Sequence, residues 1–441
     1  MDFLFVMVSF TAFHLQRFIT SNDGRCKEKY RRRLTDGRGS DMFSRRRGVL
    51  LQINDRAIVK IESVAFGGDG IGRINHFVVF VPFASEGDEL EIIVTQVKKK
   101  FLRGRIFRIL TPSPRRVRPL CPYYGACGGC RYQHLDYEYQ LAVKKKQVED
   151  VFSKIGKIAH PPVSEMIASP KFYHYRGKAQ VHVEGASGGR RVGFLDVSGA
   201  NLLDIESCAI MDESINEQLR VFKGKMPVRN LKSTRLTIWS ADNPQQTRKG
   251  QAVVRMVKNR TFLVPPEGFF QSNLYLTDRL VDEVCRMAAA EKADTLVDAY
   301  CGCGLFSVFV SPLARKIIGI EWDEQSVRFA GKNAENMGVV NAEFLCGDVA
   351  TVLKNNFLHA GRKMDALILD PPRSGCPKNV LEAIAFLRPQ RIIYISCNPA
   401  TQARDARFLL ANGYILKNLL PLDMFPQTEH IEVIGFLELA V

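Results

Sequence analysis

A chain of 441 residues, 46% of them hydrophobic, has material for two or three globular domains and is too long to be a small disulfide-stapled module. Its formal charge of +16 is an electrostatic footprint for a polyanion, with nucleic acid the first candidate. Eleven cysteines without a recognisable secretory signal point away from a disulfide framework.

The apolar start Phe3–Val8 lacks a basic flank and is too short to span a bilayer, so no membrane anchor is expected. Cys26 to Arg47 is basic and contains Gly and Ser, so residues 1–49 are expected to form a disordered extension; translation from Met42 is the alternative. Residues 50–110 read as a small all-β module. The runs 57–61, 77–81 and 90–94 are separated by turn signals, the densest being Gly67–Arg73. Lys98–Arg105, assigned to the last strand, is a basic stripe with aromatic interleaving. It suits an RNA backbone as well as it suits a lysine-protected edge.

Thr111–Arg116 is a linker by composition. Residues 111–266 look like an α+β domain, with a helix of exposed charge from Glu138 to Ile155. Cys121, Cys127 and Cys130 sit in one glycine-rich loop, a density typical of metal sites, and Cys208 is the best candidate for a fourth ligand. Iron–sulfur and structural zinc both suit four thiolates. Cys285, Cys346 and Cys376 read as ordinary thiols.

Residues 267–441 alternate β-rich runs with helical stretches, which predicts a mainly parallel sheet. Thr295–Asp298 feeds the turn Ala299-Tyr300-Cys301-Gly302-Cys303-Gly304, which lacks the third glycine of a dinucleotide fingerprint. Glu321 ends the next strand, where a carboxylate can accept from ribose hydroxyls, and Asp348 follows a third. Several carboxylates with no phosphate-loop lysine favour a cationic ligand, and S-adenosylmethionine fits. In Asp370-Pro371-Pro372-Arg373 an arginine stands where amino-methylating enzymes carry a stacking aromatic.

Cys397 ends a β-branched run before Asn398-Pro399, at the carboxyl edge where open α/β sheets hold ligands. Elsewhere it would read as a small buried hydrophobe. Beside a methyl donor it suggests a specific chemistry. Carbon 5 of uridine is a poor nucleophile until a thiolate adds to carbon 6; a base must then remove the carbon-5 proton. His430-Ile431-Glu432 supplies a base.

From Leu50 to Val441 these motifs resemble the RNA 5-methyluridine methyltransferase family, specifically its 23S ribosomal RNA members with an N-terminal TRAM domain. The resemblance implies a Rossmann-like S-adenosylmethionine-dependent domain, a TRAM-like barrel, and a central α+β domain whose Cys121, Cys127, Cys130 and Cys208 hold a [4Fe–4S] cluster. It implies that Gln271, Tyr300, Glu321, Asp348 and Asp370 line the donor site, with Cys397 the nucleophile and Glu432 the base. Leu305 stands where the family often has a small or polar residue. The implied protein is a cytoplasmic monomer acting on 23S RNA. Its rivals are a tRNA enzyme of the same chemistry and a catalytically idle RNA-binding assembly factor. DNA cytosine methylation lacks its Pro-Cys motif here.

Overall fold

The computed structural model describes residues 51–186, 189–224, 234–240, 252–289 and 293–440. The basic extension, with Cys26, lies outside them. Five strands close a barrel in the order β1-β2-β3-β5-β4: β1 (Arg56–Val64), β2 (Asp69–Ile74), β3 (Phe77–Pro82), β4 (Glu89–Val97) and β5 (Phe101–Thr111). Alternation builds it. Val59, Ile61, Val79, Val81, Leu90 and Ile92 are buried in its centre, while much of the rest of each strand meets water. Gly72 is required where β1 crosses β2, since a Cβ there would lie 2.4 Å from the Lys60 carbonyl oxygen.

Two local expectations change. The Gly67–Arg73 stretch is only partly a turn, because β2 begins at Asp69, and Lys98–Lys100 lie in the turn before β5 rather than within it. The 111–116 linker is also fastened rather than loose. Asp88 accepts from the Ser113 backbone N–H at 2.8 Å and from the Arg116 guanidinium at 2.7 and 2.6 Å, a bidentate clasp.

Helix α1 (Tyr137–Lys154) is capped by Asp136, whose side chain accepts from the Tyr139 N–H. A sheet of order β8-β7-β6-β9 follows, from β6 (Lys178–Ala186), β7 (Gly189–Leu195), β8 (Leu202–Asp204) and β9 (Thr234–Trp239). Helix α2 (Glu213–Gly224) packs on it through Ile215 and Leu219. The hairpin β10 (Val253–Val257) and β11 (Arg260–Val264) buries Val253, Val257, Phe262 and Val264 in the core of the C-terminal sheet.

That sheet alternates strand and helix after α3 (Thr277–Ala288): β12 (Ala293–Ala299), α4 (Leu305–Val310), β13 (Ala314–Glu321), α5 (Glu324–Asn336), β14 (Ala342–Cys346), α6 (Val349–Leu353) and β15 (Ala366–Leu369). It continues with α7 (Lys378–Leu387), β16 (Arg391–Ser396), α8 (Pro399–Ala411), β17 (Tyr414–Leu422) and β18 (Glu432–Leu439). The strand order is β14-β13-β12-β15-β16-β18-β17; the first five are parallel, and β18 runs antiparallel between β16 and β17. Both faces are buried. Leu296, Ile317, Ile368 and Ile393 join one apolar cluster, while Val297, Ile318, Leu367 and Ile392 join the other, which is why these strands read as unbroken apolar runs.

Helix α1 departs from the expected exposed charge at Lys144. Its ammonium group is fully buried and donates to Asp423 Oδ1 at 2.6 Å and to the Phe425 carbonyl at 3.0 Å. Lys144→Met should therefore destabilise the protein by about 3–5 kcal/mol, the range for stranding one partner of a buried pair. Adding Asp423→Leu should recover most of that loss in urea unfolding. If the single variant unfolds with the parent, the pair carries no such weight.

Candidate active site at the carboxyl edge of the sheet

Strand order reverses between β12 and β15, so the crevice beyond their carboxyl ends is where ligands enter such sheets. After β12, Tyr300 takes a left-handed φ of 67°, followed by Gly302 and Gly304 at 55° and 84°. A tyrosine in this region is strained, and the turn holds it there through Tyr300 and Cys301 N–H bonds to the Ile320 carbonyl at 2.8 and 3.0 Å. Glu321 accepts from Gly302 N–H at 3.0 Å and Asp323 N–H at 2.9 Å, which fixes its carboxylate beside the turn. Asp348 caps α6 with Oδ1 on the Thr351 N–H. Gln271 is buried in the segment leading to α3, and Leu305 is buried as the first residue of α4.

Asp298 stands on β12 and Asp370 directly follows β15, the two strands flanking the switch point. Burial pushes the Asp298 carboxyl up to about 7, although its Oδ2 accepts from the Ser307 N–H and hydroxyl, and the charge of Glu321 adds to the rise. Asp370 is raised by burial and then by Asp298.

Cys397 follows β16, and Glu432 opens β18. Their strands pair antiparallel with Ser396 opposite Val433, so one further step of register sets Cys397 against Glu432. Gln402 of α8 holds that register, donating to the Tyr394 carbonyl of β16 at 2.7 Å and the Val433 carbonyl of β18 at 3.1 Å. Asn398 caps α8 and donates from Nδ2 to the Arg373 carbonyl at 3.0 Å, and Thr401 donates to the same oxygen at 3.2 Å. The Asp370–Arg373 loop is thereby tied to the residue after the cysteine.

Electrostatics at this spot are unusual. Burial first, with the charges of Glu432 and Asp370 and against the opposing Arg373 guanidinium, pushes the Cys397 thiol up to about 12. Glu432 is buried and held well above the ordinary carboxylate range, first by burial and then by Asp370. Arg373 also contacts His430 Nδ1 at 3.2 Å, while burial and then the neighbouring cations Arg373, Lys144 and Arg176 press His430 down to about 3, leaving it neutral. Arg373 and His430 belong to the Asp-Pro-Pro-Arg and His-Ile-Glu motifs singled out in the sequence, but their contact with each other is not legible there.

The cysteine loop packs against the segment carrying Cys208. Glu206 N–H donates to the Tyr123 hydroxyl at 2.9 Å, and Gly128 N–H donates to the Leu195 carbonyl at 3.1 Å. Burial pushes Cys130 up to about 12 and Cys208 up to about 11, and mutual repulsion among the four thiols adds to both. The four sulfurs thus lie within electrostatic reach of one another, and buried thiols of this kind become stable anions only beside compensating cations. That chemistry fits a thiolate-bound metal. Among the described residues, however, no three or more His, Cys, Asp or Glu side chains are gathered as the shell of an ion.

Comparison with known proteins agrees with this architecture. The family described as tRNA (Uracil-5-)-methyltransferase matches residues 251–439, and the TRAM domain matches residues 53–107. An uncharacterized RNA methyltransferase of Halalkalibacterium halodurans is 30% identical over 447 residues, covering 88% of this chain and 97% of the relative. One from Nostoc is 31% identical over 445 residues, covering 87% and 96%. The crystal structure of Pyrococcus abyssi tRNA (uracil-54, C5)-methyltransferase in complex with S-adenosyl-L-homocysteine shares the fold, with a TM-score of 0.61. It is 23% identical and covers 87% of this chain and 100% of that one.

The sheet order is that of the S-adenosylmethionine-dependent methyltransferase fold, here preceded by a TRAM barrel. The chain belongs to the RNA uracil-5-methyltransferase family.

Proposed function

We propose that the protein methylates carbon 5 of a uridine in 23S ribosomal RNA through a covalent Cys397 adduct. The observation that carries this reading is Cys397 and Glu432 meeting across β16 and β18, beside Asp370. S-adenosylmethionine supplies an electrophilic methyl on a cationic sulfur. Gln271, Tyr300, Glu321, Asp348 and Asp370 would hold it, and several carboxylates suit a cationic ligand. Cys397 Sγ, once its proton has gone to water, would bond to carbon 6 of uridine while the carbon 5–carbon 6 pair moves onto oxygen 4 as an enolate. Carbon 5 would then take the methyl group, and the pair of the broken methyl–sulfur bond would leave with the neutral thioether. Glu432 removes the carbon-5 proton, the electron pair reforms the double bond, and the carbon–sulfur bond breaks.

Glu432 must be ionised for its step, whereas burial and the charge of Asp370 keep its proton on.

A thiol near 12 means on the order of 10⁻⁵ thiolate at pH 7, so Cys397 is not a ready-made nucleophile. Its iodoacetamide alkylation, followed by peptide mass spectrometry, should climb about tenfold per pH unit from 7 to 10. A plateau near pH 8 would show a preformed thiolate instead.

Cys121, Cys127, Cys130 and Cys208 would hold a [4Fe–4S] cluster, since four thiolates bind one iron corner each. The TRAM barrel and this cysteine loop together favour ribosomal over transfer RNA. The deciding experiment maps 5-methyluridine by mass spectrometry in RNA from a deletion strain, then supplies the purified enzyme with 23S and tRNA transcripts. Restoration in 23S RNA is expected. Restoration in tRNA alone would replace the substrate, and restoration in neither would favour an idle assembly factor.

A further inference from the structure

Between β17 and β18 runs the loop 423–431, which delivers His430 and ends at Glu432. It is anchored almost entirely by residues from outside the methyltransferase sheet. The Met424 carbonyl accepts from Asn273 Nδ2 at 3.1 Å, the Phe425 carbonyl from Lys144, and the Pro426 carbonyl from the Tyr175 hydroxyl at 2.9 Å. Gln427 is held most tightly. Its carbonyl accepts from both Arg131 and Tyr132 N–H at 2.9 Å, and its backbone N–H donates to Gln140 Oε1 at 3.1 Å. Gln140 Nε2 returns a bond to Gln427 Oε1 at 3.1 Å. Two residues on, Glu429 pairs with the Arg131 guanidinium at 3.3 Å.

Gln427 has a φ of 68°, a strained conformation for a residue with a side chain, and it is buried. Such strain persists only where the surroundings over-determine it. Gln140 lies on α1, and Arg131 and Tyr132 directly follow Cys130, so the cysteine loop is one abutment of the base loop.

We propose that Gln140 and Arg131 are positioning residues for Glu432, setting the loop that aims its carboxyl at carbon 5. The proposal rests on Glu432 being the base. A group that removes a proton is sensitive to misplacement, whereas Tyr300 and Glu321, proposed for the donor, are held by bonds of the turn after β12 rather than by this loop. Loosening the loop should therefore slow proton removal selectively.

The test compares Gln140→Ala, Arg131→Ala, Arg131→Lys and Glu432→Gln at saturating RNA. Gln140→Ala should lower kcat about 100-fold, the loss expected for roughly 1 Å of misplacement, with the KM for S-adenosylmethionine unchanged. Both alanine variants should accumulate methylated RNA–protein adduct on denaturing gels. Both should also show a larger isotope effect with 5-deuterated uridine RNA, and Arg131→Lys should restore the parent pattern. A merely structural role would depress every step without moving the isotope effect. If Gln140→Ala does not fold, the more exposed Arg131 pair carries the test. Alanine variants with the parent isotope effect and no adduct, alongside a trapped Glu432→Gln adduct, would overturn the positioning role alone. Absence of the adduct in Glu432→Gln would instead remove Glu432 as the base, and this proposal with it.

Discussion

Cys397→Ala is expected to abolish methyl transfer and to leave no RNA linked to protein on a denaturing gel, because no thiol remains to add to carbon 6. Glu432→Gln should behave differently. It keeps the nucleophile and the shape of the site but cannot accept the carbon-5 proton, so addition and methyl transfer proceed while elimination stalls. Turnover should fall by about 10²–10⁴, the usual contribution of a positioned base, and the trapped adduct should already carry the methyl group. Donor labelled in its methyl group distinguishes that adduct from an unmethylated one. The pairing of β16 with β18 is the reason to expect such a clean division, since its register carried one step beyond Ser396 sets Cys397 opposite Glu432. Full turnover by Glu432→Gln would mean another group is the base, and methylation by Cys397→Ala would remove the covalent route.

The second large effect concerns the cluster proposed for the four cysteines. Purified without oxygen, the protein should be brown and contain about four iron and four sulfide per chain, as a four-thiolate cubane requires. Cys127→Ser and Cys208→Ser remove proposed ligands from different segments, the glycine-rich loop and the stretch after β8. Each should bleach the preparation and lower the thermal midpoint, because a cluster would cross-link those segments beyond contacts such as Glu206 N–H to Tyr123. A colourless protein with one tightly held zinc would overturn the iron–sulfur assignment and leave the methyltransferase reading standing.

Much of this was legible because the relevant signals are local. A parallel strand buried on both faces must be apolar throughout, so Ala366–Leu369 and Arg391–Ser396 announce themselves. A cysteine before Asn-Pro must then fall at a strand end. What was not legible depends on partners distant in sequence. Nothing around Lys144 reveals that Asp423 awaits it in the interior, nor does Gln427 look like a residue driven to a positive φ. The 111–116 segment has the composition of a loose linker, yet Arg116 finds Asp88. Composition reports the local chain's preference, and a buried carboxylate elsewhere overrides it.

The Gln402 bridge has a consequence for how such a protein can change over time. Because one amide grips a carbonyl on each of β16 and β18, the spacing of nucleophile and base is set by backbone alignment rather than by the choice of side chains. A single-residue insertion in either strand would rotate every following side chain to the opposite face. Since β16 is buried on both faces and much of β18 is too, the sheet could absorb that rotation more readily than the chemistry could. Insertions in the connecting loops would leave that alignment intact, whereas a change in the length of either strand would not.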